Sequence, residues 1–188
     1  MKNNKNLVIK IAILITLISS AVIWRLINHN LGLLPNLELI TTVTVLAAII
    51  FGARAAIVAP IIAIIASDLV IGNSSIFIFT WSSFAVIGLG AILLRKLNKQ
   101  PGKQILASAG FAIASSFLFF FVTNLGVWLQ GWYPATLDGL MTCFTLAIPF
   151  YRTMLIGNLI LVPLSVAGYQ FIRTKIAAKD LVINASIS

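Results

Sequence analysis

The sequence has few charged residues. Asp, Glu, Lys and Arg make up only 9% of its 188 residues, whereas they make up about a quarter of a soluble globular protein. Apolar residues account for 60% of the chain, and the mean hydropathy is +1.07. Disordered segments are poor in such residues. These values exclude a soluble domain and a disordered chain, and they indicate an integral membrane protein.

Cysteine and histidine are also scarce, since Cys143 and His29 are the only examples. One cysteine excludes an internal disulfide and a cysteine-rich zinc site, and with one histidine most acid–base or nucleophile pairs lack a second member. The sequence has no HExxH, GxSxG or phosphate-loop motif. We therefore expect no enzyme activity, no cofactor and no bound metal. Without a phosphate loop the chain cannot energise transport by itself.

Long apolar runs make up most of the chain. Six of them approach the ~20 residues that cross a hydrocarbon core of ~30 Å. They predict transmembrane helices at 7–27, 35–51, 55–72, 76–94, 105–128 and 151–172. A shorter apolar run at 140–149 predicts an interfacial helix between the last two, with a re-entrant segment as the alternative. The predicted fold is all-α, a polytopic membrane helical bundle of one domain at 1–176, with a flexible cytoplasmic tail at 177–188.

Lys and Arg residues are divided unequally between the two sides of this bundle. Eleven of the 13 fall on the side of the termini, and only Arg25 and Arg152 fall on the other. Because cytoplasmic loops are rich in Lys and Arg, we expect both termini to be cytoplasmic. The net charge of +9 then reflects the side facing the cytoplasm, and no nucleic-acid partner is expected. A cleaved signal peptide ending near 19–21 is the alternative for the N-terminus, but the apolar run continues to Trp24.

Two charged residues at the predicted outer side lie at helix ends where the helix dipole disfavours their charge. Asp68 lies near the C-terminal end of its helix, and Arg152 lies near the start of the last one. A carboxylate within a span is costly and needs a partner or a water-filled cavity. The two residues predict an ion pair, or a site where Arg152 binds an anionic ligand group and Asp68 a cationic or hydroxyl group; solvated rim residues are the third alternative. Glu38, after Pro35-Asn36, is interpreted as a helix-capping residue.

All four tryptophans also fall on the outer side. They indicate either an aromatic belt at the membrane interface or part of an outward pocket. Together with neighbouring polar residues they give the candidate substrate-binding set. Its members are Asp68, Trp81, Asn124, Trp128, Trp132, Tyr133, Arg152 and Asn158.

Small residues recur at four-residue spacing in the third predicted helix. They are Ala55, Ala59, Ala63 and Ser67. Such a stripe lets another helix approach closely. The partner is either a helix of the same chain or a docked helix of another subunit.

Several short stretches resemble a family of uncharacterised small bacterial membrane proteins with six helices. They are Pro35-Asn36, Phe51-Gly52-Ala53-Arg54 with Ala59-Pro60 and the Ser-Asp-Leu-Val-Ile-Gly of 67–72, the Thr-Asn-Leu-Gly-Val-Trp of 123–128 with Tyr133-Pro134, and the Ala-Ile-Pro-Phe-Tyr-Arg of 147–152. The stretch from Phe51 is also similar to the S components of energy-coupling factor (ECF) transporters, which capture vitamins or other micronutrients. That resemblance implies a bacterial inner-membrane protein whose outward pocket is roofed by the loop between the first two helices. It also implies docking on a transmembrane coupling subunit with two ATPases.

The leading functional hypothesis is a substrate-binding subunit for uptake of a small, vitamin-like organic nutrient. The alternatives are a self-associating structural or channel-type membrane protein and an intramembrane enzyme, against which the missing motifs argue. A polar and aromatic cavity under the outer loops would favour the first hypothesis.

Overall fold

The computed structural model describes residues 2–72 and 74–185, which form six α-helices. They are α1 (Lys2–Leu31), α2 (Ile40–Phe51), α3 (Ala53–Ile71), α4 (Phe77–Arg95), α5 (Pro101–Leu129) and α6 (Leu137–Ala185). All except α2 are long and apolar enough to cross a membrane. The structure therefore confirms an all-helical protein with the pattern of a multi-pass membrane protein.

The helices form a bundle with two distinct ends. The cavity end holds the C-termini of α1, α3 and α5 and the starts of α2, α4 and α6. The opposite end, which we call the basic end, holds the α4–α5 connection and Arg173. α1 packs against α2 and α3, and many of its large apolar side chains, from Leu7 to Ile27, are exposed. An exposed apolar face of this kind suits contact with lipid.

α2 is the central helix of the bundle. It packs against α1, α3, α4 and α6, and nine of its 12 residues are buried. At 1.5 Å per residue it is only ~18 Å long, so the α1–α2 loop (residues 32–39) completes the path between the two ends. The expected helix start at residue 35 is wrong, because Asn36 has a φ of 60°, outside the helical region.

α6 contains the segment that was expected to form a separate interfacial helix. Residues 140–149 are continuous with the rest of α6, which passes through Pro149 and Pro163. A proline inside a helix removes a backbone donor and normally breaks or kinks it. Here α5 supports the segment, since the Phe144 ring packs against Phe120 and Phe121 with centroids 5.4 and 5.7 Å apart.

The C-terminal part of α6 includes most of the expected flexible tail. The helix continues to Ala185, and residues 186–188 lie outside the described residues. The flexibility of the tail and the domain boundary at 176 stay predictions.

Buried amides join three helices at the basic end. Gln104 of α5 donates to the carbonyl of Leu94 at 2.8 Å and to the Asn98 side chain at 2.9 Å. Gln170 of α6 donates to Gln104 and, at 3.3 Å, to the Asn98 carbonyl. Because lipid offers no hydrogen bonds, these polar groups must satisfy each other inside the protein.

The small-residue stripe of α3 faces the interior of this chain. Ala59, Ala63 and Ser67 are fully buried, and Ala55 is half-buried. Ala59 and Ala63 belong to the core that Ala21 of α1 also enters. Internal packing therefore occupies Ala59, Ala63 and Ser67, while docking of a partner helix on the stripe stays a prediction.

Candidate functional site

A cavity opens between the helices at the cavity end. Its volume is about 370 Å³, within the range of ~300–1,000 Å³ found for small-molecule sites. A second cavity of about 260 Å³ adjoins it. Five residues line both: Arg25, Asn36, Thr80, Phe119 and Met154. We call the combined space the Arg25 cavity.

The α1–α2 loop forms one wall of the Arg25 cavity. Asn28 holds the loop, because its amide donates to the carbonyls of Leu34 at 2.8 Å and Leu37 at 3.1 Å and accepts from the Leu34 N–H at 3.0 Å. The Trp24 indole also donates to the Leu37 carbonyl at 2.9 Å. Side chains of α1 thus fix a loop whose own backbone contributes a turn hydrogen bond from the Leu37 N–H to the Leu34 carbonyl at 3.1 Å.

Arg25 is the cation of the cavity, and Asp68 is its ion-pair partner. The Arg25 Nη1 lies 2.5 Å from Asp68 Oδ1 and donates to Ser67 Oγ at 2.5 Å. The Trp81 indole donates to the other carboxylate oxygen of Asp68 at 2.8 Å. Asp68 is only 7% exposed, so the pair fixes a buried carboxylate.

The expected ion pair between Asp68 and Arg152 is wrong. α1 packs beside α3 and brings Arg25 to the carboxylate, while Arg152 is exposed on α6. Asp68 does have an ion-pair partner, as expected, but the partner is Arg25 on the neighbouring helix α1.

Glu38 lies in the loop beside the cavity and caps α2. Its Oε2 accepts the backbone N–H of Thr41 in the first turn of α2 at 2.8 Å. The expected position inside the first turn is wrong, because Leu39 is the N-cap residue and Glu38 precedes it. Its Oε1 is buried and has no hydrogen-bond partner among the described residues. Burial raises the pKa of Glu38 above its ordinary value, and the neighbouring Thr41 and Asn158 oppose the rise.

Asn158 lies in the bundle interior beside Glu38. It is 1% exposed, and its amide donates to Ser116 of α5 at 3.1 Å and to Thr41 of α2 at 3.5 Å. This predicted binding residue therefore joins three helices next to the cavity wall.

The adjoining part of the cavity is aromatic. Phe119, Phe120, Phe150 and Tyr151 line it, together with Asn124. The rings of Phe120 and Tyr151 pack with centroids 4.8 Å apart. Asn124 is the member of the predicted binding set that lines the cavity directly, while Asp68 and Trp81 act through Arg25.

The remaining predicted residues lie on the α5–α6 connection or outside the cavity wall. Trp128 donates to the Pro134 carbonyl at 3.0 Å and closes that connection. Trp132 is 57% exposed, Tyr133 is half-buried and Arg152 is exposed. The exposed indole of Trp132 at this end of the bundle fits the belt interpretation.

Sequence reasoning missed several residues that line the cavity. Arg25 and Glu38 carried a usable signal, because they are two of the few charged residues on the predicted outer side. Thr80, Phe119 and Met154 carried none, since such residues occur throughout membrane helices. Only the packing of α4, α5 and α6 shows that they meet.

Comparison with known proteins places the chain in a family without an assigned activity. No curated protein and no solved structure matches it. A family model described as "Family of unknown function (DUF6580)" matches residues 5–180, which include every residue that lines the Arg25 cavity. The chain belongs to the family DUF6580.

Proposed function

We propose that the protein is a substrate-binding membrane subunit for uptake of a small organic nutrient, similar to the S component of an ECF transporter. In this proposal it lies in the bacterial inner membrane with both termini cytoplasmic, so that the cavity end faces outward. The observation that carries the proposal is the Arg25 cavity under the α1–α2 loop.

The chemistry of the cavity wall supports ligand binding. All contacts from the Arg25 guanidinium to Asp68, Ser67 and the Ile64 carbonyl use Nη1. A guanidinium has five N–H donors, so, as far as the described residues go, others are left for an acceptor group of a ligand. Apolar surface for the rest of a ligand comes from Ile40, Phe84 and Phe119.

The sequence has no phosphate loop, so in this proposal other subunits supply the energy of ATP hydrolysis. The proposal therefore includes a transmembrane coupling subunit and ATPases as partners. The exposed apolar face of α1 is a surface on which such a subunit could pack, because the stripe on α3 is buried.

The test is native mass spectrometry of the protein purified gently into lipid nanodiscs. We expect a small organic molecule to co-purify with the wild type and to be lost from Thr80→Trp, because Thr80 lines both parts of the cavity. Ser82→Trp is the matched control, since Ser82 is exposed on the same helix. A wild-type protein that retains no molecule, or a folded Thr80→Trp variant that retains the same one, would contradict the proposal.

A further inference from the structure

We infer that the Arg25 cavity selects a small organic cation, with Glu38 as its counter-ion. The inference rests on the proposed function and specifies the class of substrate. It follows from the charge balance of the cavity, from the environment of Glu38 and from the aromatic wall.

The charges around the cavity leave one negative charge uncompensated. The lining contains Arg25, His29 and Glu38, and Asp68 neutralises Arg25. Within residues 2–72 and 74–185, Arg25 with Asp68 is the ion pair that the structure forms, so no resident cation neutralises Glu38. An ionised Glu38 therefore gives the cavity a net negative charge when His29 is neutral.

The neighbours of Glu38 are polar but uncharged. The Thr41 N–H donates to Oε2, the neutral Asn158 lies beside the carboxyl group, and Oε1 has no donor in the described part of the chain. A carboxylate in a poorly solvated place gains most from a nearby cation. A ligand cation in the cavity would supply the charge that the protein itself does not.

The aromatic wall favours the same class of ligand. Phe84 and Phe119 line the part of the cavity next to Glu38, with their ring centroids 5.0 Å apart. Tyr151 and Phe120 line the adjoining part. The faces of such rings attract organic ammonium groups, whereas an anion would gain nothing from them.

Binding of a cation is then linked to the protonation of Glu38. Besides Glu38, the charged or titratable residues that line the Arg25 cavity are Arg25 and His29 on α1 and Tyr151 on α6, and Asp68 on α3 pairs with Arg25. The residues next to Glu38 on α2 and α6 are the neutral Thr41 and Asn158. A cation binds the ionised carboxylate more tightly, so binding releases a proton. Affinity should therefore increase as the pH rises and level off once Glu38 is ionised in the empty cavity.

The experiment measures the binding of three probes of similar size to the full chain in nanodiscs by ligand-observed NMR. They are benzyltrimethylammonium, benzyl alcohol and phenylacetate. We expect the cation to bind most tightly, and Glu38→Gln to weaken it by about tenfold or more while leaving the alcohol unchanged. Glutamine keeps an oxygen for the Thr41 N–H, so the cap on α2 is preserved. Asp138→Asn is the control, because Asp138 is an exposed acid on α6.

The pH series separates Glu38 from His29. Benzyltrimethylammonium keeps its charge at every pH, so a change in its affinity reports on the protein. We expect the affinity to rise with pH in the wild type and in His29→Asn, and to be flat in Glu38→Gln.

Three results would overturn the inference: no binding of the cation, equal binding of cation and anion, or unchanged affinity in Glu38→Gln. The proposed function is judged separately by the co-purifying molecule. A neutral or anionic molecule that is lost from Thr80→Trp would support the proposed substrate binding. It would also show that the substrate is not an organic cation.

Discussion

The ion pair between Arg25 and Asp68 is the residue-scale feature on which the cavity depends. Because Asp68 is almost fully buried and the Arg25 side chain is 28% exposed, removing either partner strands a poorly solvated charge. We predict that Asp68→Asn lowers the free energy of unfolding by about 2 kcal/mol, less than for a fully buried pair. Thermal or denaturant unfolding in detergent would measure the change.

Two further variants show whether that loss comes from the pair. Arg25→Gln combined with Asp68→Asn should recover part of the stability, giving a non-zero coupling energy in a double-mutant cycle. Arg152→Gln should have little effect, because Arg152 is exposed. Coupling of Asp68 to Arg152 instead would contradict the observed pairing.

Glu38 gives a prediction about pH and stability without ligand. Its pKa in the folded protein is raised above the ordinary value of 4.5 by burial, so folding favours the protonated form. Its contribution to stability is present below 4.5 and is lost as the pH rises through the folded pKa. We expect the melting temperature to fall over that range in the wild type and to fall less in Glu38→Gln. A steeper fall in Glu38→Gln would show that another group is responsible.

At this scale the sequence shows which residue requires a partner, but it does not show which residue supplies it. A carboxylate in a membrane helix needs a partner, and Asp68 has one. The choice between Arg25 and Arg152 depended on which helix lies beside α3, and no local pattern in the sequence contains that information. The same holds for Thr80 and Met154, which line the cavity only because α4 and α6 converge there.

At the scale of elements, the alanine stripe of α3 shows how closely the helices pack. Ala59 is fully buried in the main core, so a larger side chain there overpacks the contact. We predict that Ala59→Leu destabilises the bundle by about 1–3 kcal/mol, measured by thermal unfolding. Val58→Leu is the matched control, because Val58 is half exposed on the same helix.

A stable Ala59→Leu variant that loses only a co-purifying subunit would instead support docking through the stripe. That result would require α1 or α4 to move away from α3, since both contribute to the core around Ala59.

The ends of the helices were less predictable than their existence. All six helices occur close to the apolar runs. α2 begins five residues later than expected because of the backbone at Asn36, and α6 begins much earlier because α5 supports the segment before Pro149. At α6 the sequence signal, Pro149, was local, whereas the outcome was decided by tertiary contacts with α5.

At the scale of the whole molecule, the unequal distribution of charge predicts the orientation. Eleven of 13 Lys and Arg residues belong to the side of the termini. Reporter fusions placed after Ser188 and after Gln100 should both be cytoplasmic, and one placed after Gln130 should be outside. An outside signal from either of the first two would invert the proposed outward direction of the cavity.

The position of α2 has a consequence for how the protein is made. A helix of 12 residues is too short to be stable alone in a hydrocarbon layer of ~30 Å. Its polar Thr41 accepts a hydrogen bond from Asn158 of α6, and α6 is synthesised later than α2, α3, α4 and α5. During synthesis α2 therefore packs first against α3, to which Gly52 joins it directly, and contacts α6 only later. Nascent chains that stop before α6 should be left with an uncovered central helix, which makes them targets for membrane proteases.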